Sequence, residues 1–118
     1  MKISYTEKRV MDLIWENEPV RSRNIVNRCE ESFGWKSTTT FTFLKRLSEK
    51  GIIVNDSSII RSLVSKDEIE QEYSKEIVQN AFNDSLPTFL TAFLHDKKLN
   101  DSEYEELINL INSHKKVK

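Results

Sequence analysis

Five side chains within residues 35–51 could together bind DNA. Thr38, Phe41, Thr42, Lys45 and Arg46 recur at the spacing of one helical face, and they combine small hydroxyls, an aromatic ring and two cations. Hydroxyl groups and cations can bond phosphates or base edges, and an apolar group can contact the methyl group of thymine. The same spacing also fits an ordinary amphipathic helix with a solvated polar face, so periodicity alone leaves both interpretations open.

The helix that carries these residues has a predicted start, end and buried face. Ser37 is its predicted N-cap, and Gly51 can adopt the left-handed conformation that ends many helices. Residues at i, i+3, i+4 and i+7 form one buried stripe, namely Thr40, Phe43, Leu44 and Leu47. We therefore expect the five candidate side chains to lie on the exposed face.

Length and composition set the class of protein. A chain of 118 residues forms one domain, or one small domain plus an appendage that needs a partner. Only 2 Gly and 2 Pro occur in a chain that is 31% charged, which predicts a mostly helical fold with short connections. No apolar run approaches membrane-spanning length, so we expect a cytoplasmic protein without membrane insertion. The single Cys29 is predicted to be a buried small hydrophobe.

The charge is distributed unevenly along the chain. Residues 1–61 contain eleven Lys/Arg and eight Asp/Glu, a net charge of +3, whereas residues 62–118 contain seven and eleven, a net charge of −4. Such an asymmetry is expected when one half contacts phosphates and the other contacts protein.

The first 63 residues read as three helices followed by a hairpin. A capping box, Ser4-x-x-Glu7, starts the first helix, and Pro19 ends it. A second helix is predicted over residues 22–33, and the candidate reading helix follows. Two β-branched runs then flank the turn-forming residues 55–58, which predicts a short hairpin. This order predicts a winged helix-turn-helix DNA-binding domain over residues 1–63.

Residues 64–118 read as three further helices with large apolar faces. Their predicted starts are Ser65, Ser85 and Asn100. A unit of this size seldom buries such faces alone, and pairing with a second copy would do so. We therefore predict a dimerisation domain, although the tail could instead pack onto its own first domain. The predicted interface residues are Ile69, Tyr73, Ile77, Phe89, Leu90, Phe93, Leu94, Tyr104, Leu107, Ile108 and Ile111.

No pattern in the sequence indicates an enzyme. His95 and His114 lie in different predicted helices, without a Cys or carboxylate spacing typical of a metal site. Gly34 and Gly51 stand apart, so there is no glycine-rich loop to hold phosphates. We predict no catalytic residues, no metal and no cofactor.

The chain resembles the penicillinase-repressor (BlaI/MecI) family, whose relatives include copper-responsive repressors. The similar residues are Val10–Trp15, then Trp35 with Thr39-x-x-Thr42-x-Leu44-x-Arg46-Leu47-x-x-Lys50-Gly51, and finally Leu99–Leu107. The resemblance implies a homodimeric bacterial transcriptional repressor of resistance or stress genes that binds a palindromic DNA operator. It also implies a sensor-protease pathway that cleaves the C-terminal region and weakens the dimer.

The sequence departs from that family at three places. Phe41 stands where relatives commonly carry a basic or polar residue. The turn of residues 55–58 replaces a longer, usually basic wing tip, and Asp56 would repel phosphates. The Asn-Phe pair that is cleaved in the family aligns with Ala92-Phe93, which counts against the protease response. The Cys-x-Cys pairs of the copper-responsive branch are absent, so direct copper sensing is not expected.

These considerations assign roles to individual residues. Thr38, Phe41 and Thr42 are predicted to contact base edges or methyl groups, whereas Lys45 and Arg46 would hold phosphates. Arg46 could instead form a structural ion pair with Glu49 or with the C-terminal part, and Thr39 could serve only to cap or pack the helix. The full predicted DNA-binding set is Arg21, Arg23, Lys36, Ser37, Thr38, Thr39, Phe41, Thr42, Lys45 and Arg46. The alternative function is a dimeric adaptor or antirepressor of the same fold that has lost DNA binding. Asp56 favours that alternative, whereas Lys45, Arg46 and Lys50 count against it.

Overall fold

The structure, a computed structural model, describes residues 2–117 as six helices and a small three-stranded sheet. Its elements, in chain order, are α1 (Tyr5–Asn17), β1 (Val20–Arg21), α2 (Ser22–Phe33), α3 (Ser37–Glu49), β2 (Ile53–Asp56), β3 (Ile59–Ser62), α4 (Lys66–Ala81), α5 (Leu86–Phe93) and α6 (Asp101–Ser113). The predicted fold class is thereby confirmed: it is mostly α, with a winged helix at the N-terminus and helices at the C-terminus.

Several helices begin at the predicted capping residues. The Ser4 hydroxyl accepts the backbone N–H of Glu7, whose carboxylate in turn accepts the N–H of Ser4, so the capping box is complete. Ser85 and Asn100 cap α5 and α6. The side chain of each accepts a hydrogen bond from the backbone N–H of the residue three positions later. Helix α1 ends at Asn17 because Glu18, which precedes Pro19, adopts an extended backbone.

The sheet has the order β1-β3-β2 and is antiparallel throughout. Strands β2 and β3 form the predicted hairpin, but its turn consists of Ser57 and Ser58 alone, both with positive φ. Positive φ at both central positions matches the right-handed twist of the flanking strands. Strand β1 was not predicted, because a two-residue strand is too short to show a periodicity.

The chain packs as two compact units, Met1–Ile77 and Val78–Lys118. The first has a continuous apolar core to which each of its helices contributes. Ile69 of α4 is fully buried in this core, and Tyr73 packs against it. The start of α4 therefore packs with the winged helix. The predicted functional division into residues 1–63 and 64–118 stays a prediction.

Candidate nucleic-acid interface

Helix α3 presents the predicted face to solvent because its opposite face is fixed in the core. Thr40, Leu44 and Leu47 are buried, and Phe43 is half-buried beside them. All ten predicted DNA-binding residues are exposed. The predicted N-cap is wrong, since Ser37 is the first helical residue and Lys36 occupies the cap position without a side-chain capping bond. The well-packed apolar face, rather than a serine cap, holds the start of this helix.

The hydroxyl of Thr42 has a defined orientation on the exposed face. Its Oγ1 donates to the carbonyl oxygen of Thr38 one turn earlier, at 2.9 Å. The hydroxyl proton is thus engaged within the helix, and the oxygen lone pairs remain available as acceptors. Thr42 can consequently accept from an amino group on a base edge, such as that of adenine or cytosine.

Phe41 forms one wall of a surface notch with residues from two other segments. The notch has a volume of about 360 Å³ and is lined by Arg21, Ser22, Arg23, Phe41 and Ser58. The side chain of Phe41 is 45% exposed. An exposed ring in a notch that two arginines also line suits a thymine methyl that lies next to a backbone phosphate. We call this the Phe41 notch.

The wing turn is joined to α2 at the Phe41 notch. The backbone N–H of Ser22 donates to the carbonyl oxygen of Ser58 at 2.9 Å. Glu18 secures the other end of β3, since its carboxylate accepts the N–H and the hydroxyl of Ser62. Ser22 and Ser58 were not among the predicted residues. Their contact depends on the pairing of β1 with β3, which sequence reasoning missed.

The two helices of the helix-turn-helix begin with cations. Arg21 and Lys36 are the N-cap residues of α2 and α3, and neither helix has a side-chain capping bond. By contrast, serine or asparagine caps α1, α4, α5 and α6. Backbone N–H groups at a helix start carry partial positive charge, so an arginine or lysine beside them makes both helix starts favourable for phosphate.

Lys50 forms an ion pair with Glu7 within the fold. Its Nζ lies 2.8 Å from Oε1 and 2.9 Å from Oε2 of Glu7, and it also donates to the carbonyl oxygen of Lys2. A lysine held by three oxygen atoms is already satisfied within the fold. Lys50 is therefore weaker support for DNA binding than Lys45 and Arg46.

Arg46 does not pair with Glu49. Among residues 2–117 the structure shows no ion pair of Arg46, and its guanidinium lies 5.0 Å from the centroid of the Phe43 ring. Lys45, which precedes Arg46 in the sequence, is also exposed. Both cations thus remain available to an external anion.

The predicted interface residues of the C-terminal region fall into three groups. Eight of them line an apolar groove of about 550 Å³ between α5 and α6, namely Phe89, Leu90, Phe93, Leu94, Tyr104, Leu107, Ile108 and Ile111. Ile69 and Tyr73 instead pack in the first unit, so Ile69 has no apolar surface left for a partner. Ile77 is exposed. Ala92 and Phe93, aligned with the family's cleavage pair, are exposed at the end of α5.

Side chains that bind metals do not form a cluster in the described part of the chain. No group of three or more His, Cys, Asp or Glu residues within residues 2–117 could hold a metal ion. Cys29 is fully buried, and burial raises the pKa of its thiol. Within the same residues, no helix is long and apolar enough to cross a membrane.

Comparisons with known proteins agree on one family. The family model described as Penicillinase repressor matches residues 3–113. The methicillin resistance regulatory protein MecI of Staphylococcus aureus (strain N315) is 29% identical over 115 residues, which cover 94% of both chains. The penicillinase repressor of Bacillus licheniformis is 26% identical over 122 residues, covering 99% of this chain and 94% of that protein. The penicillinase repressor of Staphylococcus aureus is 26% identical over 116 residues, covering 95% and 92%.

Proposed function

The chain belongs to the penicillinase repressor family of transcriptional repressors, which are not enzymes, and we propose that it represses resistance or stress genes in the cytoplasm by binding a palindromic DNA operator as a homodimer. The names of its relatives, a methicillin resistance regulator and two penicillinase repressors, support the class of regulated genes.

The observation that carries this proposal is the exposed face of α3. It places two hydroxyls, one ring and two cations together on a helix whose other face is buried, beside two helix starts that favour phosphate. A helix of 13 residues with such a face fits the major groove of B-DNA. We assign base contacts to Thr38, Phe41 and Thr42. We assign phosphate contacts to the exposed cations Arg21, Arg23, Lys36, Lys45 and Arg46. The hydroxyls of Ser37 and Thr39 would assist them.

The groove between α5 and α6 supports the homodimer. Phe93, Tyr104 and Ile111 each leave more than half of their surface exposed along it. A groove of this size on one small unit would be covered in a two-fold dimer, in which the same surface pairs with itself. Two DNA-binding units related by such an axis would meet two half-sites about one helical turn, or a multiple of it, apart.

Cleavage near Ala92-Phe93 would offer a route to relieve repression. A cut there would separate α5 from α6 and divide the residues that line the groove. The dimer would weaken. The two DNA-binding units would then bind their two half-sites together less tightly. A sensor-protease pathway belongs to the proposal only if the protease accepts Ala92-Phe93 in place of the family's Asn-Phe pair, and the altered pair counts against that response.

Binding titrations test the operator proposal directly. At moderate salt, the chain should bind its own upstream intergenic DNA with a Kd of about 10 nM or tighter, and random duplex at least about a thousandfold more weakly. Equal affinity for both duplexes would contradict sequence-specific repression. No binding to either would instead support the adaptor, which the exposed Asp56 in the wing favours.

A further inference from the structure

Three aromatic rings in contact connect α2 with α3, the first pair tilted by 54° and the second stacked. The ring centroids of Phe33 and Trp35 lie 4.9 Å apart, and those of Trp35 and Phe43 lie 4.8 Å apart with nearly parallel planes. The three residues come from the end of α2, the turn after it and the middle of α3. We call Phe33, Trp35 and Phe43 the aromatic stack.

Each end of the aromatic stack carries an arginine. The guanidinium carbon of Arg9 lies 4.2 Å from the centroid of Phe33, and that of Arg46 lies 5.0 Å from the centroid of Phe43. A cation over a ring face is attracted by the negative charge density of that face. The stack therefore holds one arginine on α1 and one on the exposed face of α3.

The ring of Phe43 restricts the guanidinium of Arg46 on one side. A guanidinium group that lies parallel to a ring still directs its N–H groups outward in its own plane, which is the geometry that binds a phosphate through two parallel bonds. Arg46 forms no ion pair within residues 2–117, so no carboxylate there competes for these N–H groups. The ring of Phe43 is half-buried and supported by Trp35, and it is therefore itself well fixed.

We propose that Phe43, supported by Trp35, is a positioning residue that orients the Arg46 guanidinium for a DNA phosphate. This inference rests on the proposed function, since it concerns how an operator is held. Phe43 faces the core and does not itself reach the DNA. It acts by reducing the conformational freedom that Arg46 would otherwise lose when DNA binds.

A double-mutant cycle tests this coupling. Phe43→Leu keeps an apolar side chain but removes the ring face, and Arg46→Lys keeps the charge but removes the planar group. Phe43→Leu should weaken operator binding about two- to fivefold, the range expected for one exposed cation–π contact. Arg46→Lys should weaken it at least as much, because it removes the paired phosphate bonds as well as the ring contact. In the Arg46→Lys background, Phe43→Leu should weaken binding little further, because the contact that it removes is already lost.

Two matched variants serve as controls. Lys45→Ala removes the neighbouring cation, which does not lie on the ring, so its effect should multiply with that of Phe43→Leu. Phe33→Leu removes the ring at the other end of the aromatic stack. It should leave operator binding unchanged, although it should shift the midpoint of thermal unfolding about as much as Phe43→Leu does. Multiplicative effects of Phe43→Leu and Arg46→Lys, or equal losses for Phe33→Leu and Phe43→Leu, would overturn the proposal.

A measurement without DNA separates this inference from the proposed function. In the NMR spectrum of the free protein, the ring current of Phe43 should displace the Nε–Hε resonance of Arg46 from its usual position, and Phe43→Leu should remove that displacement. If the displacement is present but the wild-type chain binds no operator, the proposed function fails while the stacking stands. If it is absent, the positioning role fails whatever the DNA affinity.

Discussion

The Nζ atom of Lys50, just after α3, lies 2.8 Å from Oε1 of Glu7 in the first turn of α1. The same carboxylate accepts the backbone N–H of Ser4 at 2.8 Å, and only 2% of Glu7 is exposed. Lys50 also donates to the carbonyl oxygen of Lys2. One ion pair thus joins the end of the candidate reading helix to the start of the chain's first helix.

Replacing Lys50 with methionine should lower the free energy of unfolding by about 1–3 kcal/mol, because the buried Glu7 carboxylate loses its charged donor. Urea unfolding measures this change. Lys45→Met on the same helix is the control, and it should change stability by less than about 0.5 kcal/mol because Lys45 is exposed. Lys50→Met should leave the salt dependence of DNA binding unaltered. A shallower salt dependence would place Lys50 on the DNA after all.

Stability should fall in acid through Glu7. Burial raises the pKa of this carboxyl, but hydrogen bonds from Lys50 and Ser4 outweigh that effect, so its pKa lies below the ordinary value of 4.5. The folded state therefore favours the ionised form, and the resulting stabilisation is fully present above pH 4.5. It is lost as the pH falls from 4.5 through the lower pKa of the folded state.

The variant Glu7→Gln measures this contribution, since glutamine can still complete the capping box but carries no charge. Urea unfolding at a series of pH values should show wild type more stable than Glu7→Gln at neutral pH, with the difference shrinking in acid below pH 4.5. A difference that is constant with pH would show that ionisation of Glu7 does not contribute.

Phe41→Ala should reduce discrimination between sequences. If the ring contacts a thymine methyl in the Phe41 notch, the change should cost about 1–3 kcal/mol on the operator and much less on random DNA. Competition titrations with both duplexes give the ratio. Lys45→Ala is the matched comparison and should weaken binding to both duplexes alike, with a shallower salt dependence. Equal losses on both duplexes for Phe41→Ala would refute its reading role.

A single charge in the groove between α5 and α6 should break the dimer. Ile111 lines this groove and is 53% exposed, whereas Leu110 on the same helix is 56% exposed but lies outside it. Ile111→Lys would bury a charge in an apolar interface, and Leu110→Lys would not. Sedimentation at micromolar concentration should show monomers for Ile111→Lys and dimers for Leu110→Lys. A wild-type monomer under these conditions would remove the groove's proposed role.

Local sequence signals were sufficient for most of the fold. The Ser4 capping box, the left-handed Gly51 and the β-branched runs around the hairpin each depend on residues a few positions apart, and each was predicted correctly. The exposed face of α3 also followed from its periodicity. Strand β1 was not predicted, because its two residues form a strand only when β3 lies beside them.

Sequence alone therefore determined the order of the helices and the hairpin and the exposed face of the candidate reading helix, because caps, turns and periodicity act over short distances along the chain. Tertiary structure decided which side chains surround that face. It brought Arg21 and Arg23 to Phe41, placed Arg9 of α1 on the ring of Phe33 and engaged Lys50 with Glu7, 43 residues away. Contacts that cross between segments depend on how the helices and the sheet pack in three dimensions, and no spacing within one segment encodes them.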